Sequence, residues 1–238
     1  MMLKEAIEKI EEMSSPLVYT EGDHSYVLYA DHTEELRPAI DSPETVRLNS
    51  LDALVQLVKK EQQDRQIFVS VTGHDEVDVY DSPSEDTRWK RNVLYNARAI
   101  DIPGWEPEVQ MGFDQAAVAL MTRFQDGGDR EYTLTLLSQI TTGAKVTYTD
   151  NGVASTIVTQ KGAALAQNTT IKPLVKLRPY RTFQEIEQPE GIFLIRISER
   201  GITFREADGG MWKLTARNTA KAWLQEQLQD MPNVTVML

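Results

Sequence analysis

Apolar residues return every three or four positions in four stretches of this chain, and in most of the remainder they alternate with polar ones or gather in short runs. In MMLKEAIEKIEEMSS, Leu3, Ala6, Ile7, Ile10 and Met13 mark one face, which predicts a helix over about residues 2–13 stopped by Ser14, Ser15 and Pro16. Ser50 is a good N-cap for a second helix with Leu51, Leu54, Val55 and Val58 on one face, ending near Gln63. Phe113, Ala116, Ala117, Leu120 and Phe124 define a third, closed by Gly127-Gly128. Thr215 is expected to cap a fourth, whose stripe is Ala220, Trp223, Leu224, Leu228 and Met231. YTLTLLSQI fits helix or strand equally.

The strand pattern fills the gaps between these helices. PLVYTEGDHSYVLYAD, broken at Glu21-Gly22-Asp23, reads as a hairpin; QIFVSVTG, VDVYDS and NVLYNARAI read as single strands, with SPSEDTRWK a surface loop. From Lys145 the chain turns to β character, with Asn151-Gly152 as a hairpin signal between two strand-like runs. TIKPLVKLRPYRTF, GIFLIRISE and ITFREA continue as an antiparallel meander, and VTVML closes the chain as a strand. DIPGWEPE, with two prolines and a glycine in eight residues, divides the chain into an acidic α/β lobe over 1–105 and a second lobe over 106–238. The fold class expected is α+β, a small α/β first lobe followed by helices packed on an antiparallel sheet.

Composition narrows the chemistry. At 238 residues, 41% hydrophobic and 26% charged, the chain can bury a core without staples. The absence of cysteine excludes disulfides, thiolate nucleophiles and zinc–thiolate or iron–sulfur sites. No apolar run approaches the roughly 20 residues that cross a bilayer, and the N-terminus resembles no signal peptide, so a cytoplasmic protein without membrane contact is expected. Charge is unevenly placed: residues 1–144 carry 13 Lys and Arg against 27 Asp and Glu, whereas 145–221 carry 12 against 7. Such asymmetry suits an anionic partner or head-to-tail contact between subunits.

The sequence holds no phosphate-binding glycine loop, no dinucleotide fingerprint and no G-x-S-x-G elbow, so no cofactor is expected. Of the three histidines, His24 and His32 stand about 26 Å apart if SYVLYA is one strand, too far for one metal. His74, Glu76, Asp78 and Tyr80 would share a strand face, where the first three are weak candidates for a hard divalent ion; a solvated face with Val77 and Val79 turned inward explains them better. The basic strand KLRPYRTF alternates so that Lys176, Arg178 and Tyr180 face one way, with Arg181 beside them. Arg196 and Arg205 on the following strands would extend this surface for an anion or for a subunit interface. A balance of +5 beside one of −14 argues against duplex nucleic acid as the partner.

GAKVTYTDNGVASTIVTQ, PLVKLRPYRTF and QPEGIFLIRISERGITF before a closing helix, with SLDALVQLV, QIFVSV and NVLYNARA earlier in the same order, resemble the phage and prophage YfdQ-like family. The resemblance rests on pattern, spans most of the chain and implies a phage or prophage gene product acting in the bacterial cytoplasm. It carries over no catalytic residues. The sequence thus points to a non-enzymatic assembly or binding module that self-associates. The alternatives are a sponge for an anionic small molecule such as a nucleotide immune signal, a DNA-mimic inhibitor of a host protein, and a metal-dependent enzyme using His74, Glu76 and Asp78.

Overall fold

Helix α1, Leu51–Glu61, starts where the sequence places it: Ser50 Oγ accepts the Ala53 N–H at 3.1 Å, and Leu51, Leu54, Val55 and Val58 are buried. The structure, a computed structural model, describes residues 4–6, 9, 17–21, 24–29, 32–36, 44–84, 89–142, 145–150, 155–160, 167–198 and 200–238. These group into two units, residues 1–42 and 43–238. In the first unit, β1 (Leu17–Glu21), β2 (His24–Leu28) and β3 (Thr33–Leu36) form an antiparallel sheet, with Glu21 opposite His24 across the expected hairpin.

The second unit holds two cores. The first belongs to a mixed sheet of β4 (Val46–Leu48), β5 (Ile67–Ser70), β6 (Glu76–Asp81), β7 (Val93–Arg98) and β15 (Val234–Met237), in the order β15-β5-β6-β7-β4. Val77 and Val79 turn inward beside Ile67, Val69 and Ala97, under α1 and the long helix α4 (Met211–Gln227), which adds Ala220 and Leu224. The second core lies on the antiparallel sheet of β8 (Phe124–Gln125), β12 (Leu174–Pro179), β13 (Gly191–Ser198) and β14 (Gly201–Glu206). Helices α2 (Phe113–Thr122) and α3 (Arg130–Thr142) cover it with Ala116, Leu120, Leu136, Leu137 and Ile140. The architecture is α+β.

Several elements differ from the sequence expectation, each for a local reason. The ambiguous YTLTLLSQI is helical within α3, because Thr133, Leu136, Leu137 and Ile140 fall on one buried stripe at helical spacing. Helix α2 stops at Thr122, so Phe124 leaves the helix and pairs in β8 opposite Pro179. Helix α4 begins at Met211, not beyond Thr215: Gly209 and Gly210, at φ of 64° and 80°, make the turn, and Asp208 Oδ1 accepts the Gly210 N–H. Thr215 instead donates its hydroxyl to the Met211 carbonyl. The meander expected from Lys145 onward forms two sheets, since β9 (Lys145–Asp150), β10 (Ser155–Gln160) and β11 (Gln167–Thr170) pair only among themselves among the described strands. Asn151 and Gly152 lie outside the described residues.

After leaving the first core the chain returns to it twice. Helix α4 and β15, expected with the second lobe, complete the sheet of the first, where β15 lies parallel to β5. A parallel neighbour requires a crossover; here it is the whole chain from β6 to α4, and α4 brings it back with a stripe that packs in the core beside α1. The segment between β12 and β13 sends Phe183 and Ile186 into the first core.

Candidate functional site

The basic strand splits between the two faces of its sheet. Lys176 and Arg178 lie on the outer face of β12, where Lys176 Nζ meets Glu190 Oε1 at 3.2 Å and Arg178 donates Nη1 to Glu187, with its Nε 3.8 Å from Glu190 Oε2. Arg196 is half-buried on β13 and Arg205 exposed on β14, on that same outer face. Tyr180 is half-buried, and its N–H donates to the Arg123 carbonyl at 3.0 Å.

Arg181 goes the other way. Its side chain is 11% exposed, its guanidinium lies 3.7 Å from the centroid of Trp212, and Nη1 donates to Glu206 Oε1 at 2.7 Å. Burial pulls its pKa down to about 10 against the attraction of Glu206. Odd-numbered Arg181 thus continues the inner side of Leu177 and Pro179, and grouping it with Lys176 and Arg178 on one basic surface is corrected: after β12 ends at Pro179, Phe183 and Ile186 also turn inward.

The carboxylate face is brought together only in part. Glu76, Asp78 and Tyr80 share the face of β6 turned away from α1 and α4; Asn96 Nδ2 donates to Glu76 Oε1 at 3.0 Å and Asp78 Oδ1 at 2.6 Å, and Tyr80 donates to Asp78 Oδ2 at 3.2 Å. His74 precedes the strand and packs edge-on against Trp212, 4.8 Å between ring centroids. His74, Glu76 and Asp78, the weak metal candidates, are therefore not brought together as one set, and Val77 and Val79 turn inward as the solvated-face reading has it. Among the described residues no three His, Asp or Glu side chains are placed to hold a metal ion. His24 pairs with Glu35 at 2.7 Å, while His32 stacks on Tyr29 beyond the end of β2.

The imidazole of His74 titrates below its ordinary 6.5, chiefly because it is buried, with Lys213 and Arg181 adding to the effect and Asp75 opposing it. The unfolded chain therefore binds this proton more tightly. Its contribution to stability is full above pH 6.5 and is lost as pH falls below that value toward the folded pKa. His74→Phe keeps the ring edge against Trp212 and should lose less of its melting temperature between pH 7.5 and 5.5 than the unmodified protein. Equal losses in paired melts would dismiss His74 as a contributor.

A concave surface beside α2 was not anticipated. Residues 104–111 run along β14, where Glu108 N–H bonds the Phe204 carbonyl and Met111 exchanges two backbone hydrogen bonds with Ile202. Between this strap and α2 lies an open groove of ≈ 760 Å³, lined by Trp105, Val109, Met111, Val118 and Ala119, with Glu106, Asp114, Gln115 and Arg123 as its polar members. Trp105 forms the floor, its ring edge-on to Phe124 and Phe193 at 4.8 and 5.4 Å. Helix α2 buries Ala116, Ala119 and Leu120, yet Val118 and Met121 stay 55% exposed on its outer side. That second apolar stripe was visible in DQAAVALMT, where Val118 and Met121 lie off the face that packs on the sheet.

Compared with known protein families, curated proteins and solved structures, the chain matches none. No helix among the described residues is long and apolar enough to cross a membrane.

Proposed function

We propose that this protein is a non-enzymatic accessory protein of a phage or prophage that works as an assembly and binding module, joining copies of itself and holding an apolar segment of a protein partner. The groove beside α2 is the observation that carries the reading. Its volume lies within the range that ligand sites use, but it is open, and the apolar surface continues past it onto Val118 and Met121. Such a shape suits an extended or helical protein segment with two or three apolar anchors. Glu106 and Asp114 at the groove favour Lys or Arg beside those anchors. The cations Lys176, Arg178 and Arg181 already face carboxylates, which leaves less charge for a sequestered anion.

The test is a display selection of twelve-residue peptides on the protein, with counter-selection on Val118→Asp. Enriched peptides should pair apolar anchors with a basic flank and lose about 10-fold in affinity on Val118→Asp, the loss of one apolar side chain's burial. The substitution should leave the melting temperature nearly unchanged, because Val118 is largely exposed. Failure to enrich any peptide over Val118→Asp would remove the groove as a binding site.

A further inference from the structure

The sheet edges of the second unit are guarded unequally. The outer edge of β14 is closed by the strap at 108–111, β8 has two residues, and β4 has three with Arg47 at its centre. In the sheet of β9, β10 and β11, edge strand β9 carries Lys145 and Asp150, and edge strand β11, Gln-Asn-Thr-Thr, is uncharged but polar throughout. Strand β15 is both uncharged and largely apolar. Residues 233–238 read Asn-Val-Thr-Val-Met-Leu, without a charge or a proline, in a chain that is 26% charged. Natural sheets usually blunt free edges with charge, proline or a bulge, because unpaired backbone groups recruit another strand.

Its hydrogen bonds show which groups are spare. Ile67 N–H donates to the Asn233 carbonyl and Val71 N–H to the Met237 carbonyl, both at 3.0 Å, so odd-numbered residues turn their backbone toward β5. Even-numbered residues turn theirs outward, since successive residues of a parallel strand point their N–H and C=O groups to opposite sides. The Val234 N–H is taken by the Met231 carbonyl at 3.1 Å. The outer edge therefore presents the Val234 carbonyl, the Val236 N–H and carbonyl, and the Leu238 N–H. No described strand pairs there.

We infer that β15 is a self-association edge, pairing antiparallel with β15 of a second copy about a two-fold axis at Val236, so that two five-stranded sheets become one of ten. This names the surface behind the self-association half of the function proposed above and rests on that reading. The match is reciprocal. The Val236 N–H and carbonyl of each copy exchange hydrogen bonds with those of the other, and each Val234 carbonyl accepts the opposing Leu238 N–H. On one face Val236 meets Val236 and Val234 meets Leu238; on the other, Thr235 meets Met237. Exposed Met237 and Leu238 become covered. A net charge of −11 on each copy opposes most face-to-face contacts, and this register sets only uncharged side chains against each other.

Sedimentation velocity over a concentration series of the full chain tests it. The unmodified protein should dimerise, and Thr235→Lys with Met237→Lys, which opposes two lysine pairs, should weaken the dimer about 30-fold. Thr235→Lys with Met237→Glu opposes lysine to glutamate twice and should remain dimeric. Both positions are exposed, so all variants should fold alike. A dimer indifferent to the double lysine would overturn the edge while leaving self-association standing. A monomer at every concentration would remove self-association itself, and a monomeric lysine–glutamate variant would reject the antiparallel register.

Discussion

Gln188→Ala should lower the unfolding midpoint by roughly 8–16 °C, an expected loss of about 4 kcal/mol. Gln188 is almost wholly buried in the segment that links β12 to β13, and its amide completes hydrogen bonds that this irregular stretch cannot make for itself. Oε1 accepts the N–H groups of Arg181 and Thr182 at 3.0 and 3.3 Å, and Nε2 donates to the carbonyls of Phe183 and Ile186 at 2.9 and 3.4 Å. Alanine strands four backbone groups away from water and opens a cavity between the cores. Gln184→Ala, at an exposed position four residues earlier, loses one bond to the Asp101 carbonyl and should cost well under 1 kcal/mol. Thermal and urea melts of the pair give the comparison. Similar losses for both would mean that Gln188 does not organise the segment.

Arg181→Glu should cost about 4 kcal/mol, while Arg178→Glu, three residues away, should cost less than about 1 kcal/mol. Arg181 lies under the first turn of α4 with its guanidinium on the Trp212 ring and its charge answered by Glu206. A glutamate there sets two carboxylates together in a mostly buried space. Arg181→Lys keeps the charge but loses the planar stack, and should fall between the two. Arg178 sits on the outer face, where Glu187 and Glu190 can turn into water. Urea midpoints of the three variants decide the matter: equal effects at 178 and 181 would return Arg181 to the basic surface expected from the sequence, beside Lys176 and Arg178.

The helices and strands were legible because each has a periodic apolar side. Ser50 announced α1, and the alternation in VDVYDS announced Val77 and Val79 as core and Glu76 and Asp78 as the open face. Boundaries were less legible wherever glycine geometry or a short strand competed with periodicity, as at Gly209-Gly210 before α4 and at Phe124 after α2. The groove stayed hidden for another reason. Trp105 and Met111 come from a loop, Val118 from a helix, and it is the pairing of Glu108 and Met111 with β14 that brings them together.

By itself the sequence determined the local elements, the lack of thiol chemistry and the uncharged character of the final strand, because these depend on residue type and near neighbours alone. The tertiary structure decided what faces what. It set Arg181 on Trp212 and against Glu206, sent His74 to Trp212 and away from Glu76 and Asp78, and carried α4 and β15 back to the first sheet. Those outcomes turn on which apolar stripe finds which uncovered face, a competition among contacts far apart in the chain that no local pattern records.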